Sequence, residues 1–280
     1  MNFTFLIGIS LGMLAALLIN VGKGVQKQHV EIFKFGRKMF AKPQRPLLFG
    51  WLIGLAMTAT ASVPYSLGIK LSESPSAISA MNGIGLIGLV IYALKVLKEK
   101  ISPSDSVGIL LVILGTTFLG YLGAGREAVE RVFSDAVVIR SLVILIGVAV
   151  AGCLLSLKFK RIHGVAWGLS AGMCIGLALF LADTALIRSG GDMVGQFNTP
   201  HVYAALVFGT LATVVTQIGF LGGRALEVVP AVNSAIILTP LVMEGMVYAM
   251  YPNVLNLVVI AVICSGVIML SIGAAAKVQS

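Results

Sequence analysis

Apolar segments of roughly twenty residues recur along the whole chain. A helix needs about 20 mainly apolar residues to cross the hydrocarbon core of a bilayer, whereas a strand of a membrane β-barrel needs about ten of alternating polarity. The composition agrees with helices in lipid, because 58% of the 280 residues are hydrophobic, 11% are charged and the mean hydropathy is +1.01. The sequence therefore predicts an all-α membrane protein.

We predict nine transmembrane helices, which leave no room for a soluble domain, so residues 1–280 are expected to form a single transmembrane domain. The first segment lacks a basic n-region and a small-residue cleavage site, so it is expected to be a retained helix rather than a signal peptide. The predicted spans are 3–22, 46–68, 76–96, 106–123, 137–157, 164–186, 200–222, 228–250 and 254–275.

The basic residues orient the chain. With the N-terminus outside, the outer side holds only Lys70, Arg126, Arg131, Arg140 and Arg188, and the inner side receives the other 15 of the 20 basic residues. Because cytoplasmic loops carry an excess of Lys and Arg, this split predicts an N-out, C-in topology. The net charge of +9 is then explained by topology and anionic lipid, and no nucleic-acid partner is expected.

The sequence also matches itself at offsets of 151 to 160 residues, which predicts two repeats, about 1–123 and about 137–276. Spans 1–4 correspond to spans 6–9 and run in the opposite sense, so the repeat is inverted. Inverted repeats are typical of secondary transporters. The alternative is that apolar helices resemble one another by composition alone. The matched pairs include Thr58 with Thr213, Ser62 with Gln217, Pro75 with Pro230, and Ser79 with Ser234.

Two acidic residues, Glu244 and Asp183, lie inside predicted spans. A carboxylate at the centre of a membrane helix costs about 2.5–3.5 kcal/mol, so we expect both to face protein or water and to be protonatable or cation-binding groups. Asp183 follows a stripe of glycines at 164–176, which predicts that it points toward the bundle. The alternatives are a packing role for Glu244, neutralised by Arg140 or a hydroxyl, and an interfacial Asp183 paired with Arg188 or Arg140.

Other polar residues inside the spans are candidates for a common cavity between the repeats. Asn233 and Tyr248 share the face of Glu244, since the steps between them are those of one helical face. The alternative is that each polar side chain is an interhelical hydrogen bond worth about 0.6 kcal/mol. The full set of predicted substrate- or ion-binding residues is Glu244, Asp183, Gln217, Asn233, Asn82, Ser79, Thr213 and Tyr248, with Glu244 and Asp183 as the ligands if a metal cation is bound.

Motifs for nucleotide binding, zinc-dependent hydrolysis and serine hydrolysis are missing from the sequence. It contains no phosphate-binding Gly-x-x-x-x-Gly-Lys-[Ser/Thr], no His-Glu-x-x-His and no Gly-x-Ser-x-Gly. Cys153, Cys174 and Cys264 lie in predicted spans without paired spacing and are expected to be packing residues. We therefore expect neither an enzyme nor a cofactor.

The stretch 216–231, TQIGFLGGRALEVVPA, carries a family resemblance. It is similar to the Gln-(hydrophobic)-x-(aromatic)-Leu-Asn-(basic)-Ala-Leu pattern, followed by a proline, of the NIPA-like branch of the drug/metabolite transporter superfamily, which includes EamA-like transporters. Gly222 and Gly223 depart from the pattern at its Asn, and the stretch around LADTALI replaces the lysine-containing stretch of that branch. The matching residues are Gln217, Phe220, Leu221, Arg224, Ala225, Leu226 and Pro230.

The resemblance implies a transporter with a central cavity walled by both repeats. We expect a secondary active transporter working by alternating access, which moves a small solute or a divalent cation and is coupled to protons or cations through Glu244. A magnesium transporter of NIPA type, a channel, and a non-transporting scaffold or accessory subunit stay open as alternatives. The expected partners are the substrate, the lipid bilayer and a second copy in a homodimer, and the expected location is the cell membrane, which in a bacterium is the inner membrane.

Overall fold

The computed structural model describes residues 3–72, 78, 81–123 and 134–276, and over these ranges the chain is helical and has no strand. The expectation of an all-α fold is confirmed. Short 3-10 segments cover Val30–Phe40, Lys42–Gln44, Lys160–Ile162 and Gly195–Asn198. The α-helices are α1 Phe3–Gln28, α2 Arg45–Thr60, α3 Ser62–Ser72, α4 Asn82–Lys95, α5 Pro103–Gly123, α6 Asp135–Lys158, α7 His163–Arg188, α8 Pro200–Gly222, α9 Ala225–Tyr248 and α10 Val254–Ala276.

Seven helical segments of the described chain are long and apolar enough to cross a membrane. This confirms a multi-helix membrane protein, while the total of nine spans and the N-out orientation stay predictions. Two further apolar helices, Asn82–Lys95 and Pro103–Leu119, are shorter. The seven segments are Phe3–Gln28, Lys42–Ser72, Asp135–Lys158, Lys160–Arg188, Pro200–Gly222, Ala225–Tyr248 and Val254–Gly273.

The second predicted span, 46–68, is two helices rather than one. The turn at Ala61 separates α2 from α3. Proline has no N–H, so Pro64 cannot donate to the carbonyl of Thr60 four residues earlier, and the helical ladder is interrupted there. The Tyr65 N–H, which donates to Ala61 O at 3.1 Å, resumes the helical pattern.

Helix α1 is six residues longer than the predicted first span, which ended at residue 22, and reaches Gln28. The 3-10 segment Val30–Phe40 that follows is interrupted at Gly36, whose φ of 51° and ψ of −128° are not helical. The extension matters because it places Lys23 and Gln26, which the sequence assigned to a loop, on the buried face of a membrane helix.

The helices pack in two sets. In the first helix set, α1–α5, α1 packs against α2, α3 and α4. In the second helix set, α7–α10, α7 packs in the same way against α8 and α9, and α6 lies on α7. The sets are joined by α5 packing along α10 and by contacts of α9 with α1, α4 and α5. Helix α9 is therefore central, and every residue from Ala225 to Ala235 is buried.

Close packing of α7 on α9 depends on the glycine stripe of α7. A Cβ on Gly172 would lie 2.3 Å from Val232 O, and one on Gly168 would lie 2.6 Å from Val228 O. These contacts are with backbone atoms, which have no side-chain freedom to move aside. The glycine stripe therefore lets α9 approach α7 closely.

Candidate functional site

A buried cluster of amide side chains joins the two helix sets. The Asn233 Nδ2 of α9 donates to Asn20 Oδ1 of α1 at 2.7 Å. The Gln217 Nε2 of α8 donates to Gln26 Oε1 of α1, also at 2.7 Å. All four side chains are buried. In a membrane helix such amides favour protein partners, so these bonds fix the position of α1 against α8 and α9.

Helix α2 is attached to the same cluster. The Gln26 Nε2 donates to Gly54 O at 3.2 Å and to Thr58 Oγ1 at 3.0 Å. The Trp51 Nε1 donates to Gln217 Oε1 at 3.0 Å. Gln26 therefore uses both amide hydrogens and accepts one bond, and it is the point at which α1, α2 and α8 meet.

Lys23 is the charged member of this cluster. It is 7% exposed, and its Nζ donates to Asn233 Oδ1 at 3.5 Å, the long limit of a hydrogen bond. Among the described residues it has no carboxylate partner. Burial of an ammonium group is costly unless it is paired and hydrogen-bonded. Lys23 is therefore a buried charge with only one long hydrogen bond in the polar cluster.

A small cavity of about 130 Å³ lies beside Lys23 and Gln26. Helices of both sets form its wall, because Lys23, Gln26 and Thr58 belong to the first set and Thr213 and Thr216 to the second. The remaining lining is apolar or glycine: Leu55, Ile175, Gly209 and Ala212. The cavity thus places one cation and several hydroxyl and amide groups inside an otherwise apolar bundle.

Charged residues join the two sets a second time, at the end of the bundle where α8 ends and α9 begins, which we call the Arg224 end. Arg224 donates to both oxygens of Asp105, each at 3.1 Å, and also to Glu227. The Asp105 side chain, at the start of α5, is fully buried. Bidentate pairs of this kind are strong and directional. Arg224 also donates to Lys100 O at 2.9 Å.

Two more charges of the first set bind helix ends of the second set. Glu99 accepts from Ala225 N at 2.7 Å and from Leu226 N at 3.1 Å, which are free N–H groups at the start of α9. Lys27 donates to Gly223 O at 2.7 Å and to Phe220 O at the end of α8. Both charges complement the dipoles of those helix ends.

Burial raises the pKa of the Glu99 carboxyl above its ordinary value. The backbone N–H groups of Ala225 and Leu226 and the charges of Lys27 and Arg224 act in the opposite direction without cancelling the effect of burial. A cavity of about 440 Å³ lies beside this carboxyl at the Arg224 end, and Lys27 and Arg224 also line it.

The opposite end of the bundle, where α7 ends and α8 begins, has a different arrangement, and we call it the Arg188 end. Arg188 of α7 pairs with Asp135 at the start of α6, and the ring of His201 on α8 lies 3.5 Å from the same carboxylate. These contacts join α6 to the second helix set. Among the described residues, the ion pair that joins the first set to the second, Arg224 with Asp105, lies at the Arg224 end.

The structure brings together three of the residues predicted from sequence. Gln217 and Asn233 belong to the buried amide cluster, and Thr213 lines the small cavity. Glu244 is half-buried on α9 and follows Asn233 by eleven residues, a rise of about 16 Å along the helix. It therefore lies well toward the Arg188 end from the cluster.

The other predicted residues lie elsewhere. The Tyr248 ring packs on Phe180, with 5.7 Å between ring centroids. Asn82 is half-buried at the first position of α4. Asp183, two turns beyond the last glycine of the stripe, is exposed, and its expected orientation toward the bundle stays a prediction. Ser79 lies outside the described residues.

Asn20, Lys23 and Gln26 are not among the site residues predicted from sequence. The predicted first span ends at residue 22, which places Lys23 in a loop. The sequence does carry a signal for this helical face. Asn20, Lys23 and Lys27 are spaced by three and four residues, which puts Asn20, Lys23 and Lys27 on one face of a helix. Within the described ranges, no group of three or more His, Cys, Asp or Glu side chains is placed to hold a metal ion.

No protein family, curated protein or solved structure matches the chain. The resemblance of residues 216–231 to the NIPA-like branch therefore stays a prediction from sequence.

Proposed function

We propose that this protein is a secondary active transporter of the drug/metabolite type, which moves a small solute across the membrane by alternating access. One observation carries the proposal: a buried polar cluster with a small cavity lies at the junction of the two helix sets. Polar sites near the junction of two repeats are where such transporters bind their substrates.

The composition of the cluster supports a site rather than packing alone. Interhelical hydrogen bonds in membranes contribute about 0.6 kcal/mol on average, whereas a lysine within a membrane helix costs about 2.5–3.5 kcal/mol. Amide pairs such as Asn20 with Asn233 would be enough to hold the helices together. Lys23 adds a cost that packing does not offset, and ionisable residues inside membrane helices are functional by default.

The charged contacts at the Arg224 end support alternating access. Arg224 with Asp105, and Glu99 and Lys27 with the ends of α9 and α8, hold the first set against the second at that end of the bundle. In our proposal these contacts keep one entrance to the junction closed. They would separate when the two sets rock apart, and their loss would be offset by contacts formed at the other end.

We propose further that Glu244 couples transport to protons or cations. It is half-buried on α9, the helix that also carries Asn233 of the polar cluster. A carboxyl inside a membrane helix can exchange a proton or hold a cation, and a change of its charge would act on the helix whose Asn233 accepts a hydrogen bond from Lys23 beside the cavity.

The test is transport by the full chain reconstituted in liposomes on a solid-supported membrane, with jumps of small amino acids, organic acids, organic cations and divalent cations. At least one solute class should give a protein-dependent current that Gln217→Ala reduces and that Ser10→Ala, a change on the exposed face of α1, leaves intact. Glu244→Gln should remove the dependence on a proton or cation gradient, with the exposed Glu31→Gln as the matched control.

A result in which no solute gives a current or a change of internal pH, and in which the Gln217 and Glu244 variants change only thermal stability, would favour a scaffold or accessory subunit. A current that does not saturate with solute concentration would favour a channel. Wild-type coupling in Glu244→Gln would remove Glu244 from the mechanism while leaving the transporter proposal in place.

A further inference from the structure

We infer that the small cavity beside Lys23 binds the carboxylate group of a small organic acid or amino acid. The inference rests on the proposed transport function and specifies its substrate class. It starts from Lys23, which is 7% exposed and lines a cavity of about 130 Å³ between the helix sets.

The hydrogen-bond donors around the cavity favour an anionic ligand. The Lys23 ammonium carries three N–H donors, and its one described acceptor is Asn233 Oδ1, at 3.5 Å. Gln26 has no donor to spare, because its two amide hydrogens go to Gly54 O and Thr58 Oγ1. The cavity therefore has unused donors on a positive charge, which is the complement of a carboxylate.

The threonine hydroxyl groups leave Lys23 as the main hydrogen-bond donor available to a ligand in this cavity. Thr58 donates to Leu55 O at 2.8 Å, Thr216 to Ala212 O at 2.7 Å and Thr213 to Gly209 O at 3.4 Å, all within their own helices. Their hydrogens are thus directed mostly at the backbone, although the long Thr213 bond can be exchanged for a bond to a ligand. A cation in this space would meet the fixed positive charge of Lys23.

The size of the cavity limits the ligand. Its volume of about 130 Å³ is well below the roughly 300–1,000 Å³ of sites for drug-sized ligands, so it suits a carboxylate on a small molecule. The apolar lining residues Leu55, Ile175 and Ala212 suit a short aliphatic group. Acetate, propionate and alanine have these dimensions and this chemistry.

The experiment measures the thermal stability of the purified full chain in detergent as a function of ligand concentration. The probes are sodium acetate, sodium propionate, L-alanine and methylammonium chloride, each compared with sodium chloride at equal ionic strength. A ligand that binds the folded state raises Tm with concentration, and the rise gives an apparent Kd. We expect a rise with the carboxylates and none with methylammonium beyond the salt control.

The decisive variant is Lys23→Met, with the exposed Lys160→Met as its matched control. Loss of a charge-assisted bond should weaken the apparent affinity for the carboxylates about tenfold or more in Lys23→Met and leave it unchanged in Lys160→Met. Lys23→Arg keeps the charge and should retain binding. If Lys23→Met does not yield folded protein, Lys23→Arg and Lys23→Gln, compared by the same titration, supply the test.

Equal carboxylate binding by wild type and Lys23→Met, or stabilisation by methylammonium instead of carboxylates, would overturn the inference. The outcome is separable from that of the transport proposal. Lys23-dependent carboxylate binding, with neither a carboxylate current nor a carboxylate-driven change of internal pH in the liposomes, would refute transport of that solute and keep the site. Cation currents without Lys23-dependent carboxylate binding would refute the site and keep the transporter.

Discussion

Asn233 donates a hydrogen bond to Asn20 across the junction of the two helix sets, with 2.7 Å between Nδ2 and Oδ1. Asn20 is 1% exposed, and its own Nδ2 donates to Ala16 O at 2.9 Å. The close approach of α4 to α1, where a Cβ on Gly85 would lie 2.4 Å from Asn20 Nδ2, leaves Asn20 no other position. Asn20 Oδ1 is therefore held in place as the acceptor for Asn233 Nδ2 of α9.

The first prediction concerns the coupling between these two residues. Asn20→Ala and Asn233→Ala should each lower the free energy of unfolding by about 1–3 kcal/mol, because each leaves a buried amide without its partner. The double variant should lose less than the sum, with a coupling of about 0.6–2 kcal/mol. Unfolding in mixed detergent measures all three, and Ser10→Ala on the exposed face of α1 is the control. A coupling within error of zero would show that the amides act independently.

A second prediction compares how much stability is lost when each partner of the buried ion pair between Arg224 and Asp105 is substituted. Arg224 serves both Asp105 and Glu227, so Arg224→Gln leaves two carboxylates without their guanidinium, whereas Asp105→Asn removes the charge of one. Breaking a buried pair costs about 3–5 kcal/mol, and we expect Arg224→Gln to be the more destabilising of the two. The exposed Arg37→Gln should have little effect. Equal losses, or a larger loss in Asp105→Asn, would contradict this order.

The third prediction follows from the raised pKa of Glu99. A carboxyl with a higher pKa in the folded chain than in the unfolded chain binds more protons when folded. The free energy of unfolding should therefore fall as pH rises from the ordinary value of 4.5 through the raised folded value. Glu99→Gln should remove this slope.

The matched control for Glu99 is Glu31→Gln, because Glu31 is exposed and its pKa is shifted the other way, lowered by its hydrogen bond with Lys34. Denaturant titrations of wild type and both variants across this pH range measure the slopes. A slope that persists in Glu99→Gln would place the responsible group elsewhere.

Periodicity and composition predicted the helical membrane fold and part of the site. Gln217, Asn233 and Thr213 were identifiable because polar residues are rare in apolar spans, and the helix face that carries them is set by the 3.6-residue repeat. The exposure of Asp183 was not predicted, because a stripe of small residues identifies the face that packs at its own level and says less about a residue two turns beyond it.

The spacing of Asn20, Lys23 and Lys27 indicates a shared helical face, but whether α1 continues that far depends on tertiary contacts. A lysine after an apolar span normally marks the membrane surface. Here the helix continues because Gln26 and Lys27 find acceptors on other helices, at Gly54 O and Gly223 O. Those partners are 28 and 196 residues away in sequence, so no local pattern reports them.

The last prediction tests the close packing that positions α9. Gly172→Ala would place a Cβ 2.3 Å from Val232 O and 2.7 Å from Ala235 Cβ, so α7 and α9 must move apart, and overpacking of this kind costs about 1–3 kcal/mol. Gly147→Ala on α6 meets nothing within 4 Å and should instead stabilise by up to about 1 kcal/mol, since alanine favours the helix. Because Asn233 follows Val232 directly, Gly172→Ala should also weaken the Asn20–Asn233 coupling measured by the double-variant cycle, and Gly147→Ala should not. Opposite signs in thermal unfolding for the two alanine variants would confirm the packing, whereas two stabilising changes would mean that α7 and α9 are farther apart than described.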